Sequence, residues 1–159
     1  MSKNAPPGEN WTHIGVKNPS SIGIGNSITY ETYMGIGNLT IAGSGITWTG
    51  DHIGFAITNN GASRSSLYAT QASGGVETRS SALLTNINAG VDVLELFLKV
   101  NGSSSVDYYY RVNGGALSSA TNLNTHVPTG GYGYFNFAID NLGGSNEAQA
   151  QFYNFNYIR

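Results

Sequence analysis

From residue 28 onward, short runs of alternating or clustered apolar residues are punctuated by Gly, Asn and Ser. The runs are 28–34, 38–42, 46–49, 52–58, 66–70, 91–100, 106–112, 134–139 and 151–158. A period of two over such short segments, bounded by turn-forming residues, predicts nine strands of an antiparallel sandwich or barrel. No stretch carries apolar residues at helical spacing, so the pattern predicts no helix longer than about two turns.

The stretch 91–112 shows the alternation most clearly. Leu94, Leu96, Leu98 and Val100 share one face of the first strand, and Glu95, Phe97 and Lys99 share the other. In the second strand Val106, Tyr108, Tyr110 and Val112 oppose Asp107, Tyr109 and Arg111. A turn centred on Ser103 pairs Lys99 with Asp107, Phe97 with Tyr109 and Glu95 with Arg111. Two opposite-charge pairs and one aromatic pair then line up on the wet face. A slip of one residue would put those charges inside.

Residues 1–26 differ in texture. Pro6, Pro7 and Pro19 interrupt them, and Trp11, Ile14, Val16, Ile22 and Ile24 follow no clear period. This reads as an extended N-terminal arm whose apolar anchors order against another subunit, with the folded domain occupying 27–159. An extra edge strand on the chain's own sandwich is the competing reading. Gly23-Ile24-Gly25-Asn26 recurs as Gly35-Ile36-Gly37-Asn38. Two short copies are too few for a solenoid and read as turns flanking one strand.

Composition narrows the classes. The 159 residues are the size of one domain. Only 10% are charged, against about 25% in an average soluble protein. Gly (22), Asn (18), Ser (17) and Thr (13) supply turns and strand faces rather than helices. A net charge of -2, with seven scattered Lys and Arg, makes no basic stripe, which argues against nucleic acid as a partner. No apolar run approaches the roughly 20 residues that cross a bilayer, and the opening residues lack a signal-peptide core. The expectation is a protein made in a cytoplasm and not inserted in a membrane. With no cysteine, neither a disulfide nor a thiolate zinc site is available.

Candidate chemistry is sparse. There is no Gly-x-Ser-x-Gly elbow, and His13, His52 and His126 stand apart from any Ser and Asp set. The acids Glu9, Glu31, Asp51, Glu77, Asp92, Glu95, Asp107, Asp140 and Glu147 include no close pair on one strand face of the kind glycoside hydrolysis uses. The segment containing Asp140, Asn141, Asn146 and Glu147 offers oxygen ligands for calcium, yet reads first as a turn between strands. No metal and no cofactor are expected. Three N-x-Ser/Thr triplets, at Asn10, Asn38 and Asn101, are the number chance supplies at this composition. Among the aromatic residues, Trp48 beside Asp51 and His52, and Tyr132 and Tyr134 in a Gly-rich loop, set flat apolar faces next to hydrogen-bonding groups. These four, Trp48, His52, Tyr132 and Tyr134, are the candidate ligand-binding residues; packing is the more ordinary use of such rings.

From about Ser44 to Arg159 the sequence resembles the concanavalin A-like lectin/glucanase jelly-roll domains of bacteriophage tail-fibre and other virion proteins. The resemblance rests on an ordered succession. Trp48 and His52-Ile53-Gly54-Phe55 come first, then Leu67-Tyr68-Ala69-Thr70 and Leu94-Glu95-Leu96-Phe97-Leu98. Tyr109-Tyr110-Arg111-Val112-Asn113-Gly114, Val127-Pro128-Thr129-Gly130 and Phe155-Asn156-Tyr157-Ile158-Arg159 follow. The aromatic strand is about two residues longer than the usual pattern, and the Glu-x-Asp-x-Glu strand of the family's hydrolases is missing. The resemblance implies an all-β, antiparallel jelly-roll sandwich that binds or builds rather than catalyses. The leading expectation is a non-enzymatic virion structural or accessory protein, a fibre, knob or capsid-decorating module. It would be located in the virion, homo-oligomeric, partnered by other virion subunits and open to host-surface carbohydrate. The alternatives are a carbohydrate-binding module of non-viral origin and, third, a polysaccharide-cleaving enzyme.

Overall fold

The computed structural model describes residues 11–22, 29–42, 45–60, 64–88, 90–129, 134–140, 142 and 147–158. Among these residues there is no helix, and the strands fall into two large antiparallel sheets and one small hairpin. The first sheet joins β1 (Trp11–Ile22), β9 (Val93–Asn101), β10 (Ser105–Val112), β11 (Thr121–Leu123) and β13 (Glu147–Ile158) in the order β11-β10-β9-β1-β13. The second joins β2 (Thr29–Gly37), β5 (His52–Asn60), β6 (Arg64–Ser73), β7 (Val76–Arg79) and β12 (Phe135–Asp140) in the order β12-β2-β5-β6-β7. β8 (Leu84–Asn88) also pairs with β6. β3 (Thr40–Ala42) and β4 (Gly45–Thr47) pair with each other.

The two sheets share one core. Ile14, Val16, Leu94, Leu96, Leu98, Val106 and Tyr108 of the first sheet pack with Tyr30, Met34, Ile53, Phe55, Ile57, Leu67 and Ile87 of the second. The Phe55 and Tyr108 rings meet edge to face, with centroids 5.3 Å apart. The Tyr108 hydroxyl donates across the core to the Thr70 carbonyl at 3.1 Å. It thereby satisfies a polar tip that burial would otherwise leave costly.

All nine expected strands are present, and the β9–β10 register matches the charge pattern: Lys99 faces Asp107, Phe97 faces Tyr109 and Glu95 faces Arg111. The wet face is drier than alternation implies. Phe97 is only 4% exposed, because His13 on neighbouring β1 stacks on its ring at 4.5 Å and 5°.

The arm expectation is corrected for 11–22. These residues form a strand paired on both sides, with Ile14 opposite Leu96 of β9 and Phe155 of β13. Ile14 and Val16 have no exposed surface and belong to this chain's own core, not to an assembly contact. The same strand was hard to see in sequence because its inward row begins with Thr12 and because it contains Pro19. That proline sits at a register irregularity between Lys17 and Ser20, where a missing ladder donor is tolerated. Trp11 and Ile22 are the terminal residues of β1, and Ile24 lies outside the described residues.

The second Gly-Ile-Gly-Asn copy is also corrected: Gly35, Ile36 and Gly37 are the end of β2 rather than a turn. Gly35 lies directly opposite Gly54. A Cβ on Gly54 would stand 2.5 Å from the Met34 carbonyl oxygen and 2.9 Å from Cε2 of Tyr33. The bare backbones thus leave the space that the Tyr33 ring fills, with its hydroxyl donating to the Ile53 carbonyl at 3.1 Å. Gly54→Ala is expected to destabilise the fold by about 2 kcal/mol or more, since neither backbone nor a buried ring can yield cheaply. Urea denaturation measures this; an unchanged midpoint would contradict the packing described.

Candidate functional site

Pairing places Glu31 and Tyr33 of β2, His52 and Ala56 of β5, Tyr68 and Thr70 of β6, and Glu77 and Arg79 of β7 on the outer face of the second sheet. On β5 the residues opposite Gly35 and Tyr33 are small: Gly54 and Ala56 give way where the long side chains must cross. Arg79 therefore reaches over two strands. Its Nη1 donates to Glu31 Oε1 at 2.7 Å and its Nε to Glu77 Oε1 at 2.9 Å. Burial works against the Arg79 charge, but the hydrogen bond to Glu31 and the charges of Glu77 and Glu31 outweigh it and hold the guanidinium above its ordinary pKa.

Trp48 closes this strap from above. It follows β4, and its ring lies 4.4 Å from the Arg79 guanidinium carbon while its Nε1 donates to Glu31 Oε2 at 2.9 Å. Stacking a cation on an indole whose N–H is also used fixes the ring in two directions at once. The Tyr33 and His52 rings meet Trp48 edge-on at 5.7 and 5.9 Å.

His52 is wholly buried. Its Nδ1 lies 2.6 Å from the Gly50 carbonyl oxygen, which can only accept, so Nδ1 carries the proton. Nε2 lies 3.1 Å from Thr70 Oγ1, whose hydroxyl donates to Glu77 Oε1 at 2.7 Å. A hydroxyl, an imidazole and a carbonyl that orients it are the parts of a nucleophile and base. Thr70, however, has no exposed surface, so no substrate reaches that oxygen. The row instead anchors Glu77 to the sheet. Burial pushes the His52 pKa below its ordinary value, opposed by the Gly50 carbonyl and Glu77 and reinforced by Arg79.

Of the residues expected to bind a ligand, Trp48 and His52 come together at this strap. Tyr134 precedes β12 at the same end of the sheet, where its carbonyl accepts from Gly37 N at 3.0 Å; its side chain is 75% exposed. Tyr132 lies outside the described residues, as does most of the segment between Asp140 and Glu147. Among the described residues no three His, Asp or Glu side chains converge as a metal site would require. The sequence reading missed the Glu31–Arg79–Glu77 group, because residues 48 apart in the chain meet only through the strand order. The one hint was the outward row Glu31-Tyr33-Gly35, polar and then abruptly small.

The first sheet carries a second buried imidazole. His13 is 6% exposed, and its Nε2 lies 3.5 Å from Glu95 Oε1. Glu95 is held in a two-pronged pair by Arg111 at 2.6 and 2.5 Å. Burial lowers the His13 pKa, Arg111 lowers it further and Glu95 opposes both. Arg111 holds the Glu95 carboxyl below the usual range.

These directions set a sign. A histidine with a folded pKa below its unfolded 6.5 binds fewer protons folded than unfolded as pH falls from there. Stability is therefore full above about 6.5 and declines on acidification. Chemical denaturation at pH 7.5 and 5.5 should give the lower midpoint at 5.5, and both imidazole resonances should titrate below 6.5 by NMR. Equal midpoints, or titration above 6.5, would contradict the burial described. No family model, curated protein or solved structure matches this chain.

Proposed function

We propose that this chain is a non-enzymatic structural or accessory protein of a bacteriophage virion, a fibre, knob or capsid-decorating module. Its sandwich is a jelly roll of the concanavalin A-like type, assembled with other virion subunits and offering a surface to host glycans. Two antiparallel sheets over one core, with the first and last strands side by side, suit that architecture. The observation that carries the non-catalytic reading is Arg79. Its guanidinium lies between Glu31 and Glu77 and takes both as acceptors, whereas the two carboxyls of a glycosidase flank the bond to be cut. What such a face offers a ligand is rigidity: the Trp48 ring, backed by Arg79, with the exposed Tyr134 at the same end.

A specific observation does favour a second reading, cleavage of polysaccharide. Two carboxylates that looked unrelated in sequence share one sheet face. The readings separate in one set of experiments. Mass spectrometry of purified virions should find the chain at fixed copy number. On a glycan array Trp48→Ala should reduce any binding at least about tenfold, the loss of one aromatic platform, with the circular dichroism spectrum unchanged. Glycan binding by a protein absent from virions would favour a non-viral carbohydrate-binding module. Turnover of polysaccharide that is lost in Glu31→Gln or Glu77→Gln would make the protein an enzyme and overturn the proposal.

A further inference from the structure

Donors and acceptors do not balance in the hydrogen-bonded row beside Trp48. Gly50 is held in its turn: a Cβ there would collide with the Asn38 carbonyl oxygen. Asn38 N donates to the Asp51 carbonyl at 2.7 Å, and Gly74 N donates to Asp51 Oδ1 at 3.0 Å. The Gly50 carbonyl is thereby aimed at His52 and claims the Nδ1 proton. A neutral imidazole then has a bare lone pair at Nε2. That lone pair faces Thr70 Oγ1 at 3.1 Å, and the same hydroxyl lies 2.7 Å from Glu77 Oε1. Thr70 has one proton for two acceptors. Whichever it serves, the other meets it lone pair to lone pair. His52 and Thr70 have no exposed surface, so water does not make up the loss.

We propose that this row is a binding site for one further proton, taken up at His52 Nε2 while the chain stays folded, and that filling it completes the clamp on Trp48. With the proton in place every group has a partner. Nδ1–H donates to the Gly50 carbonyl, Nε2–H to Thr70 Oγ1, and the Thr70 hydroxyl to Glu77, which also takes Arg79 Nε. Arg79 lies on the Trp48 ring, so the row then runs unbroken from the turn at Gly50 to the indole. The Glu77 side chain is 23% exposed and is where the proton enters. A protonated Glu77 passes its proton to Thr70 Oγ1 as the Thr70 proton moves to Nε2, which leaves Glu77 a carboxylate and His52 an imidazolium. The groups facing the imidazole decide when this happens. Burial opposes the charge most; the Gly50 carbonyl, Glu77 of β7 and Asp51 of the turn favour it, and Arg79 of β7 opposes it. Tyr33 of β2 and Trp48 meet the imidazole edge-on, and Tyr68 of β6 lies on the same face. The site therefore stands empty at neutral pH and fills below 6.5. This inference does not depend on the virion or glycan readings, since it concerns proton binding by the isolated chain.

NMR of the full-length chain, following the imidazole nitrogens from about pH 7.5 to about 4.5, tests it. At the upper end His52 should be neutral with its proton on Nδ1. On acidification Nε2 should gain a proton with the far-ultraviolet circular dichroism unchanged, and the Trp48 indole N–H resonance should shift with the same midpoint. Thr70→Val keeps the shape and removes the hydroxyl; it should weaken proton binding about tenfold, about one pH unit in the midpoint. Thr70→Ser should keep the wild-type value. Glu77→Gln, at a partly exposed position, should lower the midpoint as well, because it removes a charge that favours the imidazolium. A neutral His52 with its proton on Nε2 would overturn the proposal, as would a His52 that stays neutral until the chain unfolds. So would a Trp48 resonance indifferent to the titration, or an unchanged midpoint in Thr70→Val or Glu77→Gln.

Discussion

The first sheet depends on one strand being held from both sides. β1 bridges β9 and β13, so it joins a three-stranded piece built from the middle of the chain to a strand from its end. Without it β9 would lose a neighbour and β13 would have none among the described strands of the sheet. Thr12, Ile14 and Val16 bring the inner row into the core beside Leu98, Leu96 and Leu94, and His13 seals the outer face by lying flat on Phe97. Burial of apolar surface and completion of backbone ladders thus reinforce each other at the same residues, which is how a chain without disulfides holds two sheets together.

The outer face of the second sheet is organised on a different principle. A trough of Gly35, Gly54 and Ala56 lets large side chains lie along the sheet instead of standing on it. Tyr33, Arg79 and Trp48 fill it in layers. Each polar atom in the stack answers another: the guanidinium takes both carboxylates, the indole N–H takes one of them, and the Thr70 hydroxyl takes the other. Such a network holds its members in one arrangement.

What could be seen in the sequence, and what could not, follows from the range over which each signal acts. The β9–β10 register was readable because alternation, turn length and charge all lie within about twenty residues and agree. The strand character of 11–22 was obscured because Pro19 and His13 look like breaks in a pattern. Only pairing with residues about 80 and 140 positions away shows that one is absorbed by an irregular register and the other is stacked. Trp48 and His52 stood out as neighbours in sequence. Their connection to Arg79 and Glu31 did not, because the strand order β2-β5-β6-β7 that brings these residues together is a property of the folded sheet. The short β7, β8 and β11 have too few apolar residues to show a period at all.

The central claim is that residues 11–22 are a structural strand on which the rest of the sandwich rests. Deleting the first 22 residues and recording near-ultraviolet circular dichroism and thermal unfolding tests it most directly. The account predicts loss of the cooperative transition and of fixed aromatic signals, because β9 and β13 would each lose a ladder and the core would lose Ile14 and Val16. A truncated chain that unfolds cooperatively at the melting temperature of the full-length protein would contradict it.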